Sequence, residues 1–175
     1  MDNAQTRLAK IKTLVLDTDG VLTDGSLLYL EDGQPLVRFS IQDGLGIVAA
    51  RLVGLEVAIV SARLTAALAR RGEELGIKEI VRGAADKGQA LQELAKRRQW
   101  DLSEVAYMGD DLNDLPPMQI AGAALAPANA VNDVKKAAHW ISIRTGGNGA
   151  VREAVEAILS AQGRWEQAIQ AYLNH

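Results

Sequence analysis

The chain has 175 residues, 48% of them hydrophobic and 23% charged, and carries a net charge of −3 with both signs scattered along its length. That length fits one domain, able to bury roughly 70% of the surface its unfolded form exposes, and the charge offers no basic footprint for nucleic acid or for a membrane surface. Cysteine is absent, which excludes disulfides and thiolate metal sites and leaves oxygen ligands, hence a hard cation, for any metal.

The opening Met1-Asp-Asn-Ala-Gln5 has neither the basic nor the apolar segment of a secretion signal, and no apolar run reaches bilayer length. A cytoplasmic location without a membrane partner is the expectation. The first apolar run, Thr13-Leu-Val-Leu16, does not alternate, as expected of a strand buried on both faces of a parallel sheet. Asp17 and Asp19 fall at its carboxyl end, where open α/β sheets bind ligands, and their spacing points both side chains the same way. A calcium loop is the plain alternative, but the helix-loop-helix pattern needs Gly and Glu where this chain has Leu22 and Leu28.

Two short strand-like runs, 26–30 and 36–40, flank an Asp-Gly turn and predict a β-hairpin. Its leucines and Phe39 leave it apolar for an isolated ribbon, so it is expected to pack on another subunit. Beyond it, helices over 47–53, 64–75, 87–98, 114–120, 132–137 and 150–161 alternate with strands at 56–60, 79–81, 105–108, 123–125 and 140–143. Such alternation implies βαβ units and a parallel sheet covered on both faces. The tail, 164–173, spaces Trp165, Ala168, Ile169 and Tyr172 as a helical stripe that docks either on its own domain or on a neighbour.

Three further strand or helix ends carry chemistry. Ser61 closes a strand, where it serves either as a helix N-cap or as a phosphate donor beside a helix N-terminus. Lys87 sits in a first helical turn, opposing the helix dipole, so it is either solvated or held to face an anion. Met108-Gly-Asp-Asp-Leu-Asn-Asp114 sets Asp110, Asp111 and Asp114 so close that they repel one another and invite a divalent cation. A carboxylate nucleophile, a second acid, phosphate donors and a magnesium site together make a phosphoryl-transfer centre.

These four motifs resemble those of the haloacid dehalogenase-like (HAD) phosphohydrolases, and the resemblance covers essentially the whole chain. The hairpin, Gln42-Asp-Gly-Leu-Gly-Ile47, Gly146-Gly-Asn-Gly-Ala-Val-Arg-Glu153 and the lack of a cap-sized insertion look like the small, capless phosphatases of 3-deoxy-D-manno-octulosonate (KDO) 8-phosphate. The resemblance implies a Rossmannoid three-layer α/β/α fold with a parallel sheet, a protruding hairpin and no cap, as one domain over residues 1–175. It also implies that Asp17 attacks phosphorus, that Asp19 acts as acid and then base, and that Ser61 and Lys87 hold the transferring oxygens. Magnesium would be bound by Asp17, the Asp19 carbonyl and Asp110, with Asp111 and Asp114 orienting that shell. Ser61, Ala62, Arg63, Arg71 and Lys87 would line the substrate, with Arg71 lent by a neighbour in a homotetramer.

Arg63 stands where octulosonate phosphatases carry arginine and deaminated-neuraminate 9-phosphate phosphatases carry glutamate, and a guanidinium suits a substrate carboxylate. Where many relatives read Asp-Val-Asp-Gly and Thr-Gly-Arg, this chain has Thr18 and Ser61-Ala62-Arg63; serine keeps the hydroxyl, while Ala62 adds a Cβ beside the phosphate path. Within the phosphatases, a deaminated-neuraminate or acylneuraminate 9-phosphate phosphatase is an alternative, and two other readings compete. One is an accessory subunit similar to the small subunit of phenylphosphate carboxylase, and the other is a signalling receiver domain, whose paired acids normally lie adjacent on the first strand.

Overall fold

The computed structural model describes residues 3–174. Met1, Asp2 and His175, which belong to the expected opening, domain span and tail, lie outside the described residues. Six parallel strands form the central sheet: β1 (Thr13–Leu16), β4 (Glu56–Ser61), β5 (Glu79–Arg82), β6 (Val105–Met108), β7 (Ala123–Ala126) and β8 (Trp140–Ile141), in the order β5-β4-β1-β6-β7-β8. β1 is central, with Leu16 level with Ile59 on one side and Met108 on the other.

Period-two alternation sends Leu14, Leu16, Val57, Ile59, Ala106 and Met108 to one face and Val15, Ala58, Val60, Val105 and Tyr107 to the other. Both faces are covered, which is why the strands read as unbroken apolar runs. The first face is closed by α1 (Ala4–Leu8), α2 (Ile41–Leu52), α3 (Ala66–Glu74), α7 (Ala150–Ala161) and α8 (Trp165–Leu173), the second by α4 (Lys87–Arg98), α5 (Leu115–Ile120) and α6 (Asn132–Ala137). On α7 alone Val151, Val155, Ile158 and Leu159 are fully buried, each contributing about 1.5–3 kcal/mol by removal from water. The expected three-layer α/β/α arrangement is present.

Several expected boundaries move. The hairpin strands shrink to β2 (Leu28–Tyr29) and β3 (Pro35–Leu36), because Pro35 and the turn leave few ladder bonds to make. The helix expected at 47–53 begins at Ile41, with Ser40 as its N-cap. Its early glycines mask it in the sequence; the chain tolerates Gly46 inside the helix because the backbone of α7 at Arg152 passes against it. α3 starts only at Ala66, capped by Thr65, so Ser61 is the last residue of β4 and not the N-cap of α3. The strand expected at 140–143 ends at Ile141, the 114–120 helix is a 3-10 turn (Leu112–Asp114) followed by α5, and α1 was not expected. α8 docks on its own domain: Ala168 is buried in the core, with Trp165 and Ala171 packed against it.

Candidate active site

The ends of β1, β4 and β6 lie side by side, and they carry the predicted residues into one place. Asp17 N donates to the Met108 carbonyl at 3.0 Å, which binds the Asp17 loop to the end of β6. The chain then turns: Leu22 N and Thr23 N donate back to the Thr18 carbonyl at 2.9 and 3.0 Å. Gly20 holds φ +85°, and a Cβ there would be driven into the Asp110 carboxylate, so only glycine lets the two acidic loops approach this closely. Asp17 is buried, whereas Asp19 is partly exposed.

Behind Asp17 lies a buried polar cluster. Lys87, the first residue of α4, places Nζ 3.0 Å from Asp17 Oδ1 and 2.7 Å from Asp114 Oδ1. Asp114 accepts from four donors: Lys87 Nζ and the Tyr107 hydroxyl (2.9 Å) on Oδ1, and the amides of Asp110 (2.9 Å) and Asp111 (3.2 Å) on Oδ2. Asp114 therefore shapes the acidic loop from within. Asp111 accepts from Leu112 N at 2.7 Å and caps the turn that contains Asp114.

The electrostatics follow from this crowding. Burial, and then the Asp114 carboxylate, push Asp17 up to about 7 against the opposing pull of Lys87. Burial, then Asp114 and Asp111, push Asp110 up to about 7 as well. Burial also opposes the charge on Lys87, but Asp17 and Asp114 outweigh it and hold the ammonium above the ordinary lysine range. Tyr107, pushed well above 10 by burial and then by Asp114 and Asp17, remains a neutral donor.

One carboxylate oxygen each from Asp17, Asp110 and Asp114 lies within 4.8 Å of the others. Because both Asp114 oxygens are engaged, Asp17 and Asp110 are the open donors. An all-oxygen set whose acids are raised by mutual repulsion fits a hard divalent cation, which would offset that repulsion.

Ser61 is buried, and its Oγ accepts from Arg63 N at 3.2 Å; among the described residues its own proton has no acceptor. Ala62 is exposed. Arg63 reaches into the site, its Nη1 3.6 Å from Asp19 Oδ1, and lines a cleft with Asp19, Leu28, Leu36 and Arg38. Arg71 stays apart: it donates to the Ser40 carbonyl at 3.4 Å and pairs with Glu74. Sequence reasoning missed Tyr107, Thr23, Asn129 and Asp43. Tyr107 hides in an apolar strand, Asn129 and Asp43 act through backbone groups distant in sequence, and Thr23 acts through backbone groups of its own loop.

Fold and site together define a phosphoryl-transfer hydrolase, and the sequence model of the haloacid dehalogenase-like hydrolases matches residues 58–154. The chain belongs to that family. Within it, the chain is 39% identical over 160 residues to the 3-deoxy-D-manno-octulosonate 8-phosphate phosphatase of Haemophilus influenzae, covering 91% of this chain and 89% of that protein. It is 38% identical to the Yersinia pestis enzyme of the same name, covering 95% and 89%. Among solved structures it superposes with a TM-score of 0.94, at 38% identity over 98% of this chain and 99% of the other, on the Moraxella catarrhalis 3-deoxy-D-manno-octulosonate 8-phosphate phosphatase in complex with magnesium, phosphate and KDO.

Proposed function

We propose that the protein is a Mg²⁺-dependent phosphomonoesterase that hydrolyses KDO 8-phosphate to KDO and phosphate through an aspartyl-phosphate on Asp17. The observation that carries this reading is Asp17 itself, held buried at a strand end against Lys87 with Asp110 beside it and the freer Asp19 two residues on. Asp17 Oδ attacks phosphorus as the ester P–O bond breaks, and the Asp19 carboxyl gives its proton to the departing alkoxide. The Asp19 carboxylate then takes a proton from water, whose oxygen attacks the acyl-phosphate and frees Asp17. Lys87 and the Ser61 hydroxyl stabilise the transferring oxygens. Bound by Asp17, Asp110 and the Asp19 carbonyl, with Asp111 and Asp114 shaping that loop, Mg²⁺ would neutralise charge between the carboxylate and the phosphoryl group.

Arg63 favours a carboxylate-bearing sugar phosphate over an aryl phosphate, because a guanidinium in the cleft can pair with the substrate carboxylate, and arginine in place of glutamate resembles the octulosonate and not the neuraminate phosphatases. The resemblance to relatives named for this substrate supports the same choice. Phosphate release from KDO 8-phosphate, a neuraminate 9-phosphate and phenylphosphate, each with and without Mg²⁺, tests it. Preference for phenylphosphate, or release independent of Mg²⁺, would overturn the assignment.

The same reading includes a single capless domain over residues 1–175 and a homotetramer. Leu27, Leu28, Tyr29, Leu30 and Leu36 on the hairpin are all between 46% and 60% exposed, an apolar surface that suits another copy of the chain. Arg71, bonded to Ser40 at the foot of the hairpin, is the residue proposed to reach a neighbour's substrate. No helix among the described residues is long and apolar enough to cross a membrane; the cytoplasm is the proposed compartment because a multiply charged sugar phosphate is retained where it is made.

A further inference from the structure

The loop that carries Asp19 is gripped from outside by a turn with no place in the catalytic motifs. Asn129, in the turn after β7, donates from Nδ2 to the Gly20 carbonyl at 3.0 Å and accepts on Oδ1 from Gly146 N at 2.6 Å. Two residues on, Val131 N donates to the Asp110 carbonyl at 2.9 Å. One short turn therefore holds both acidic loops, the one with Asp19 and the one with Asp110.

The glycine-rich turn behind it is packed backbone to backbone. Gly147 N donates to the Val21 carbonyl at 3.0 Å, and a Cβ on Gly146 would collide with the Gly20 carbonyl. The far end of this turn is fixed by Asp43 of α2, whose carboxylate accepts from Gly149 N at 3.2 Å and Arg152 N at 2.8 Å and so caps α7 in place of a side chain on Gly149. On the near side, Thr23 Oγ1 accepts from Gly20 N at 3.3 Å.

The peptide joining Asp19 to Gly20 is thus held at its N–H by Thr23, and the next peptide is held at its carbonyl by Asn129. Two such anchors restrict the tilt of the Asp19–Gly20 peptide, whose glycine faces the Asp110 carboxylate so closely that a Cβ would strike it. We propose that Asn129 is a positioning residue: it sets the spacing and tilt of the Asp19–Gly20 peptide against Asp110, and thereby the affinity of the site for its divalent cation. The inference rests on the magnesium reading above.

Outer hydrogen-bond partners of metal sites typically tune affinity by about 10–100-fold. Calorimetric titration of Mn²⁺ into the wild-type protein, Asn129→Ala and Thr23→Val is the test, with each variant's fold checked by circular dichroism. At a temperature well below melting, both variants are expected to bind Mn²⁺ about tenfold or more weakly. The Mg²⁺ concentration for half-maximal turnover should rise in parallel, while KM for the ester stays within about twofold. A purely structural role would lower the melting temperature and leave metal affinity alone. Wild-type affinity in folded Asn129→Ala overturns this inference, and if that variant does not fold, Thr23→Val decides in the same way. Absence of binding by the wild type would overturn the magnesium reading, and this inference with it.

Discussion

Lys87 Nζ lies 3.0 Å from Asp17 Oδ1 with the two side chains only 2% and 7% exposed. A lysine buried in a first helical turn is costly, and what compensates it is a pair of carboxylates, Asp17 in front and Asp114 behind. The cation that neutralises the site is therefore also the group that lets Asp17 be buried.

That dual role separates two substitutions. Lys87→Met leaves two buried acids facing each other, and breaking a buried pair in this way costs about 3–5 kcal/mol; phosphate release and melting temperature should both collapse. Asp17→Asn keeps Lys87 on Asp114 and removes one acid of the repelling set. It should reduce turnover by at least about 10³-fold with a metal-free melting temperature equal to or above that of the wild type. Thermal melts beside a phosphate-release assay check both, and a Lys87→Met protein as stable as the wild type would contradict the argument.

Stability should depend on pH in a direction set by Asp17 and Asp110. Each is raised from 3.8 to about 7 in the folded protein, so between those values the folded state holds protons that the unfolded state releases. Their contribution is fully present below about 4 and is lost as pH rises through about 7. The metal-free protein should thus lose melting temperature between pH 5.5 and 8 on the order of several degrees. Magnesium, which binds only the deprotonated acids, should restore it. The thermal shift on adding Mg²⁺ is expected to be larger at pH 8 than at pH 5.5; a shift independent of pH would refute the coupling of these two acids to the metal.

Much of this arrangement was legible in the sequence because the chemistry sits at strand ends. Unbroken apolar runs located β1, β4 and β6, and parallel strands put Asp17, Ser61 and Asp110 on one edge of the sheet. What the sequence hid has two physical causes. Glycines in the first turns of α2 suppressed a helix whose stability comes from packing on α7, and the six residues of the missed portion include Asp43. Asn129 and Asp43 bond to backbone groups brought close only by the fold, and no local spacing announces such contacts. Lys87 is the reverse case: its position in α4 was readable, but only burial shows that it faces anions.

Thr18, between Asp17 and Asp19, is 3% exposed, and its Oγ1 has no hydrogen-bond partner among the described residues. Its carbonyl organises the loop, but the hydroxyl does not. An unsatisfied buried hydroxyl costs about 1–3 kcal/mol, and valine has nearly the same shape. Thr18→Val is therefore expected to raise the melting temperature while leaving turnover within about twofold of the wild type. A loss of stability in this variant would show that the hydroxyl is bonded in solution.

The hairpin offers the last test, because it exposes an apolar surface. Leu28 and Leu36 lie opposite each other on a ribbon of two-residue strands and are 56% and 51% exposed. A two-stranded ribbon of this size is marginal in water, which agrees with the proposed packing against another copy. Leu28→Lys with Leu36→Glu sets opposite charges across the ribbon, buries nothing in the monomer and should change its intrinsic stability by no more than about 0.5 kcal/mol for each site. In an assembly the same change places charges in an apolar interface. Light scattering is expected to give four copies for the wild type and one for the double variant, and KM should rise because both leucines line the cleft that holds Asp19 and Arg63. A wild-type protein that scatters as a monomer would remove the tetramer, and with it the role proposed for Arg71.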